Sequence, residues 1–214
     1  PGRCDAMYAV GDYLVMLGDE PRQSAYRTAI EAVVRPGDHV VEIGAGFGYF
    51  AVLAALRGAA RVDAVDVTSL VHLAGRLAAA NGVSDRVRVH QGDAASFDPG
   101  SRADVLLGDL RGASPLFRNA IQTWIAARDR MLRPGGTVIA RADRLFCAPC
   151  RAPKGLRNQR KGLQAPAVDL SSIATIASHS PFRCFVDAVD LLAEGKSWGA
   201  IDYATVQSPN VDGE

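Results

Sequence analysis

The sequence lacks the features by which membrane-spanning, secreted and zinc-stabilised proteins are recognised. No segment approaches the roughly 18 consecutive apolar residues of a membrane span, and the N-terminus has no signal-peptide pattern. Four cysteines are present, but the C-x-x-C pair Cys147 and Cys150 has no second ligand pair at similar spacing. We therefore expect reduced, buried thiols, no metal site, no membrane contact and a cytoplasmic protein.

The sequence also lacks an excess of charge of either sign. Its 24 Lys and Arg residues against 23 Asp and Glu residues give a net charge of +1, so nucleic acid is not an expected partner. The exception is the stretch from Arg141 to Lys161, where repeated cations are interrupted by one acid, Asp143. This stretch is either a solvated loop or a contact surface for an acidic substrate or phosphate groups.

The stretch from residue 40 to residue 50 combines a strand, a glycine turn and the start of a helix. Its apolar residues before the turn suit a strand that is covered on both faces. The turn consists of Gly44, Ala45, Gly46 and, after Phe47, Gly48. Such a turn lets the backbone approach a ligand closely, and the N–H groups of the following helix face the same crevice. The spacing is G-x-G-x-G, whereas the dinucleotide fingerprint is G-x-G-x-x-G.

Strands and helices alternate with short connections from residue 39 to residue 141. We expect strands at 39–43, 61–67, 86–90, 103–107 and 137–141, and two less regular strands at 182–192 and 200–206. We expect helices at 25–34, 47–56, 70–80, 116–132 and 168–180. This alternation predicts an α/β fold with a doubly wound, mostly parallel sheet, whose ligands bind at the carboxyl ends of the strands.

Polar residues follow several of these strands at the predicted ligand-binding edge. Asp66 ends the second strand and could accept both hydroxyls of a ribose. Asp93 could accept from an exocyclic amine while the Ala94 N–H faces a ring nitrogen, and Asp109 ends the fourth strand. Arg22 lies upstream and could clamp a carboxylate. Taken singly, these residues could equally be loop-capping carboxylates and a surface arginine.

Taken in order, the same residues describe a ligand with an adenine, a ribose and an amino-acid carboxylate. That ligand is S-adenosylmethionine rather than a dinucleotide, because no feature calls for a pyrophosphate. Glu42, just before the turn, either braces the turn or meets the amino group of the cofactor. Val67, next to Asp66, is expected to contact the cofactor as well.

Three motifs resemble those of a known family. The segment Val41-Glu42-Ile43-Gly44-Ala45-Gly46-Phe47-Gly48 resembles motif I of class I S-adenosylmethionine-dependent methyltransferases, and Leu132-Arg133-Pro134-Gly135-Gly136 is similar to their motif before strand five. The segment from Met16 to Tyr26 resembles the helix that precedes the core of the protein arginine methyltransferases. The resemblance implies a seven-stranded Rossmann-like methyltransferase sheet with N-terminal helices over the cofactor. It also implies that Met16 lies beside the reactive sulfonium and that Arg22 binds the cofactor carboxylate.

The chain departs from that family in the loop after strand four. The family carries two glutamates there, which grip a guanidinium, and this chain has Asp109 and Arg118 in their places. Because a cation at the second position would repel a guanidinium, we expect a nitrogen or oxygen acceptor other than protein arginine, on a small molecule, peptide or protein. Asp109 is the candidate catalytic residue that orients or deprotonates this acceptor, and His179 is a second candidate.

The resemblance also suggests a domain division and two alternative functions. We expect cofactor-covering helices at 1–35, the S-adenosylmethionine-binding domain at 36–192, and at 193–214 the start of a C-terminal barrel that is missing. We also expect that Pro1 is not the natural start, and that a homodimer is possible. The alternatives are a cofactor-binding module that is inactive, or needs a partner or the missing barrel, and a nucleotide-dependent oxidoreductase.

Overall fold

A computed structural model describes residues 8–112, 114–116, 119–151, 154–164, 168–180, 184 and 186–211. The helices are α1 (Val10–Leu17), α2 (Glu20–Val33), α3 (Tyr49–Leu56), α4 (His72–Ala80), α5 (Ala120–Met131), α6 (Lys154–Gly162) and α7 (Ser171–Ser178). The strands are β1 (His39–Ile43), β2 (Arg61–Asp66), β3 (Val87–Gln91), β4 (Ala103–Gly108), β5 (Leu132–Ile139), β6 (Ala142–Cys147) and β7 (Lys196–Asp202).

The central sheet has five strands in the order β3-β2-β1-β4-β5. All of its pairings are parallel, and Val41 of β1 lies opposite Asp63 of β2 and Leu106 of β4. The chain adds strands on one side of β1 as far as β3 and then returns to the other side. This reversal places the topological switch point between β1 and β4, where open α/β sheets bind their ligands. The predicted doubly wound, mostly parallel α/β fold is confirmed.

The core explains why β1 forms the centre of the sheet. Val40, Val41 and Ile43 are fully buried, as expected for a parallel strand that is covered on both faces. Small alanines on α3 and α4 let these helices pack closely against the sheet, and Ala51, Ala54, Ala55, Ala74 and Ala78 are all buried. The ligand-binding edge is therefore held by a tightly packed layer.

The N-terminal helices are set by local signals. Asp19 precedes α2 and its carboxylate accepts a hydrogen bond from the Arg22 backbone N–H at 3.2 Å, which satisfies one of the unpaired donors of the first turn. Pro21 also lies in this first turn, where its missing N–H costs nothing. Arg22 is thereby fixed at the start of a helix that faces the end of β4.

Several predicted boundaries need correction. The seven strands do not form one sheet, because β6 and β7 make a separate two-stranded sheet. The helix predicted at 116–132 begins at Ala120, and β5 begins at once after it, so that the Pro-Gly-Gly sequence lies within the strand. Part of the strand predicted at 182–192 lies outside the described residues, and 188–190 form a short 3₁₀ turn. The last strand ends at Asp202 rather than at residue 206, and a turn follows it.

The chain forms two compact units. The first contains the residues up to Asp143 together with Ile201–Val211, and the second contains Arg144–Ala200. The three-part division at residues 35 and 192 remains a prediction. Within the described part of the chain, no helix is long and apolar enough to cross a membrane. Cys147 and Cys150 are free and exposed, so the prediction of buried thiols was wrong for this pair, which lies at and just beyond the end of β6.

Candidate functional site

A cavity of about 710 Å³ opens at the carboxyl ends of β1 to β4, within the first unit. This volume lies in the range of about 300–1,000 Å³ that is typical of small-molecule and cofactor sites. Its walls come from the strand ends, from α1 and the start of α2, and from the loop after β4. The structure thus forms a pocket at the edge where the alternation of strands and helices predicts one.

Most of the predicted site residues line this cavity. They are Met16, Arg22, Glu42, Gly44, Ala45, Asp66, Val67, Asp93, Ala94 and Asp109. Gly46 and Gly48 do not line it. They shape the turn instead, and Gly48 precedes α3 in a left-handed conformation.

The glycine turn needs glycine for two separate reasons. Gly44, Gly46 and Gly48 have φ values of +67°, +57° and +82°. Residues other than glycine adopt such values only with strain. A Cβ atom would also overlap the side chain of Leu110 at Gly44, of Tyr13 at Gly46 and of Ala74 at Gly48. The turn is therefore packed on every side by the loop after β4, by α1 and by α4.

Asp66 is held rigidly at the end of β2. Its Oδ2 atom accepts from the Gly46 N–H at 2.8 Å, and its Oδ1 atom accepts from the Thr68 N–H at 2.8 Å. Since a carboxylate offers about four acceptor positions, each oxygen can still accept a further bond from a ligand. The arrangement locks the carboxylate to the glycine turn and leaves it able to receive two hydroxyl groups.

Asp93 and Ala94 follow β3 on the other side of Asp66. The Asp93 Oδ1 atom accepts from the Ala95 N–H at 2.9 Å. One oxygen therefore caps its own turn, as the interpretation of Asp93 as a loop-capping carboxylate predicts. Asp93 still lines the cavity, and Ala94 beside it is buried. Capping and ligand contact are therefore compatible at this residue.

Glu42 is a buried acid without a complete set of partners. Its side chain is 3% exposed, and its Oε2 atom has no hydrogen-bond partner among the described residues. Burial raises the pKa of Glu42 to about 8, and the nearby carboxylates of Asp66 and Asp109 add to this effect. A buried, unpartnered carboxyl oxygen beside a cavity is costly for the protein alone and can be satisfied by a cationic or hydrogen-bonding group of a ligand.

Arg22 and Asp109 meet directly, which their positions in the sequence did not show. The Arg22 Nε and Nη2 atoms lie 2.7 and 2.6 Å from Asp109 Oδ2. Arg111 donates from Nε to the other oxygen of Asp109 at 2.9 Å. Burial favours the protonated form of Asp109, but the hydrogen bond and charge of Arg111 and the charge of Arg22 outweigh it and hold the pKa of this carboxyl below its usual range.

The aromatic lining of the cavity was not predicted from sequence. The Tyr13 ring contacts those of Tyr8 and Phe47 edge to face, with centroid distances of 5.9 and 5.5 Å. Burial raises the pKa of Tyr13 to about 12, so the phenol remains protonated at neutral pH. The only signal in the sequence was the position of Tyr13 one helical turn before Met16.

Arg111 is the second residue that sequence reasoning missed. No spacing rule links it to Arg22 or to Asp143, because these residues meet only in the folded chain. A cation two residues after Asp109, the acid that follows β4, was the available signal. Two further predicted residues have different outcomes. Arg118, expected in place of the second glutamate of the family that the chain resembles, lies outside the described residues. Met16 lines the cavity, and its backbone carbonyl accepts a hydrogen bond from Arg22 Nη1 at 3.1 Å.

The remaining candidate, His179, belongs to the second unit. It follows α7, and its Nδ1 atom lies 2.9 Å from the Thr175 carbonyl oxygen. Among the described residues, no group of three or more His, Cys, Asp or Glu side chains could hold a metal ion.

Comparisons with known proteins give one consistent family. Residues 40–136 match the methyltransferase domain family. Probable protein arginine N-methyltransferase 6 of Arabidopsis thaliana is 33% identical over 147 residues, which is 67% of this chain and 34% of that protein. Protein arginine N-methyltransferase 6 of Xenopus laevis is 30% identical over 185 residues, which is 83% of this chain and 54% of that protein. The chain therefore spans between a third and about half the length of these relatives.

Solved structures show the same fold. The Trypanosoma brucei protein arginine methyltransferase 1 enzyme–prozyme heterotetrameric complex with AdoHcy superposes with a TM-score of 0.81 at 21% identity, over 93% of this chain and 64% of that one. Arabidopsis thaliana protein arginine methyltransferase 10 gives a TM-score of 0.76 at 22% identity, over 92% of this chain and 64% of that one.

Proposed function

Because the chain is a class I S-adenosylmethionine-dependent methyltransferase domain that resembles those of the protein arginine methyltransferases, we propose that it methylates a nitrogen or oxygen nucleophile of a peptide or protein. A peptide or protein acceptor is preferred to a small molecule since the named relatives are protein methyltransferases. S-adenosylmethionine supplies a methyl group that is already activated on a sulfonium, so the protein mainly has to hold the acceptor in line with it.

The observation that carries the proposal is the unpartnered Oε2 atom of Glu42 beside the cavity. The ammonium group of the cofactor would satisfy this atom. A pyrophosphate would instead be repelled by the Glu42 carboxylate once Glu42 ionises. Asp66 would accept the ribose hydroxyls, and Asp93 and Ala94 would meet the adenine. Arg22 would bind the cofactor carboxylate, with Gly44, Ala45 and Val67 in van der Waals contact and Met16 near the sulfonium.

Asp109 acts in this proposal as a positioning residue. Both of its oxygens accept from guanidinium groups, and its pKa lies below the usual range, so it is a poor base at neutral pH. It instead holds Arg22 toward the cavity. This role differs from both roles expected from the sequence, orientation and deprotonation of the acceptor, which remain untested predictions.

The cofactor assignment is tested with Asp66→Ala. We expect at least a tenfold loss of S-adenosylmethionine affinity by calorimetry, since charge-assisted hydrogen bonds are worth about 1.5–3 kcal/mol. Asp38→Ala is the matched control, because Asp38 also accepts a backbone N–H, from Arg35 at 2.8 Å, but does not line the cavity. Equal affinity in wild type and Asp66→Ala would refute the assignment.

The acceptor assignment is tested with an arginine-rich peptide and labelled cofactor. We expect no labelled methylarginine, because the loop after β4 contains one acid, Asp109, and both arginines that flank its oxygens are positive. Measurement is by amino-acid analysis of the peptide after incubation. Detection of methylarginine would overturn this part of the proposal.

Assembly and location complete the proposal. The heterotetrameric complex named for one structural relative supports an oligomeric state, a homodimer is the arrangement that the sequence leaves open, and light scattering of the purified chain measures the oligomeric state. A cytoplasmic location is proposed from the sequence alone.

A further inference from the structure

Arg111 lines the cavity beside Asp109, at the end where the acceptor would bind in the proposed function and which is called the acceptor end below, and three groups hold it there. Its Nε atom donates to Asp109 Oδ1 at 2.9 Å, its Nη1 atom to Asp143 Oδ1 at 3.0 Å, and its Nη2 atom to the Tyr26 hydroxyl at 3.0 Å. The guanidinium also lies 5.8 Å from the centre of the Tyr26 ring. Such a group is pre-organised, since little side-chain freedom remains to be lost when a ligand binds.

The guanidinium of Arg111 is accessible from the cavity. Arg111 lines the cavity, and its side chain is 31% exposed. A guanidinium has five N–H donors, and three of them bond to the described residues named above. Each terminal nitrogen therefore keeps one N–H for a further acceptor, and carboxylates are the groups that match a guanidinium best.

Within the described part of the chain, the two carboxylates that contact Arg111 are already paired with other groups. Asp109 is the only acid between Gly108 and Asn119 in the sequence, and its negative charge is paired with the positive charges of Arg22 and Arg111. Asp143 is engaged by Arg111 and by the Tyr203 hydroxyl at 2.7 Å. A guanidinium or ammonium beside Arg111 would be repelled by it, and the unpartnered acid of the cavity, Glu42, would be taken by the ammonium group of the proposed cofactor.

The proposed cofactor makes this preference stronger. S-adenosylmethionine has two positive groups, the sulfonium and the ammonium, and one carboxylate, which Arg22 would bind. With the cofactor in place, the acceptor end is more positive than in the protein alone, which disfavours cations and favours anions.

We propose that Arg111 determines acceptor specificity by binding a carboxylate of the acceptor, so that this site takes carboxylate-bearing peptides or proteins and rejects cationic ones. The inference rests on the proposed methyltransferase function and adds the chemical class of its substrate. The recognition takes place at Arg111, whose guanidinium is already fixed in position in the folded chain.

The experiment uses three probes of the same size and different charge. Benzoate, benzamide and benzamidine are titrated against the full chain saturated with S-adenosylhomocysteine, and ligand-observed NMR measures their dissociation constants. We expect benzoate to bind at least tenfold more tightly than benzamidine, with benzamide between them. Equal binding, the reverse order, or no binding of benzoate would overturn the proposal, and these wild-type measurements do not depend on the folding of any variant.

Variants then assign the preference to Arg111. We expect Arg111→Gln to remove the tighter binding of benzoate relative to benzamidine. Arg111→Lys should keep part of this difference, because lysine retains the positive charge but cannot bind a carboxylate through two parallel N–H groups. Arg133→Gln is the matched control, since Arg133 is also an arginine paired with an aspartate, Asp104, but lies outside the cavity lining. An unchanged benzoate preference in Arg111→Gln would also overturn the proposal.

A titration with S-adenosylhomocysteine alone distinguishes failure of the proposed function from failure of the inference about Arg111. If S-adenosylhomocysteine does not bind to the wild-type chain, the proposed function fails and the inference fails with it. If it binds and the order of the three probes is not as expected, the inference alone fails and the methyltransferase assignment stands.

Discussion

At the scale of single residues, the acids that line the cavity have different environments. Asp66 is locked by two backbone N–H groups, Asp109 is neutralised by two arginines, and Glu42 is buried with an unpartnered oxygen. Their chemical type could be read from the sequence, but their state of ionisation depends on neighbours that only the folded chain brings together. The pKa shifts of Glu42 and Asp109, upward and downward, therefore come from the fold.

Glu42 gives a prediction for the pH dependence of stability. Its pKa rises from 4.5 to about 8 in the folded chain, so the folded protein keeps a proton that the unfolded chain releases between these values. Stability from this residue is complete below the unfolded pKa and falls as pH rises toward the folded pKa, at up to about 1.4 kcal/mol per pH unit. Glu42→Gln removes this loss.

The measurement is urea unfolding of wild type and Glu42→Gln, without cofactor, at several pH values from 5 to about 9. The difference in unfolding free energy should grow in favour of the variant as pH rises and level off above the folded pKa. Parallel curves over the whole range would show that Glu42 is ionised in the folded chain and that its environment is not as described.

At the scale of elements, the glycine turn is the point at which α1, α4 and the loop after β4 converge. The sequence predicted the turn and its strand and helix correctly, because the apolar run and the glycine spacing are local signals. The close approach of Tyr13 and Leu110 to the turn was not predictable, since both contacts join segments that are remote in the chain. The same limit applies to Arg111, whose partners Tyr26 and Asp143 lie far from it in sequence.

Gly48 and Gly82 separate backbone strain from packing. Both have positive φ, +82° and +71°, but a Cβ on Gly48 would overlap Ala74 whereas a Cβ on Gly82 would meet nothing. We expect Gly82→Ala to cost about 1–2 kcal/mol of stability from strain, and Gly48→Ala to cost about 1–3 kcal/mol more from overpacking. Denaturant midpoints measure both, and equal losses would mean that α4 moves away without resistance.

At the scale of the whole molecule, the first unit is closed by a segment from the far end of the described chain. Tyr203 is 1% exposed, its ring stacks on Trp124 with centroids 4.9 Å apart, and its hydroxyl donates to Asp143. Arg128 of α5 donates to the carbonyls of Tyr203 and Val206. No periodic pattern in the sequence could indicate that the turn of this segment packs on α5, and the expectation that residues 193–214 begin a further domain remains a prediction.

Substitutions at Tyr203 divide this closure into two parts. Tyr203→Phe removes one hydrogen bond to a carboxylate and is expected to cost about 1.5–3 kcal/mol. Tyr203→Ala also removes the stacked ring and is expected to cost about 3–5 kcal/mol in total. Thermal and denaturant unfolding measure both losses. Two variants with wild-type stability would show that residues 201–211 are dispensable for the first unit.

The same closure has a consequence for changes in chain length. Arg141 donates to both carboxylate oxygens of Asp202 at 2.9 Å, and the Arg141 carbonyl accepts from the Tyr203 N–H at 2.9 Å. The residues just before and just after the segment from Arg144 to Ala200 are therefore bonded to each other. Every residue that lines the cavity precedes this segment in the chain. Changes in the length of this segment are therefore expected to cost little in loop entropy and to leave the residues that line the cavity in place.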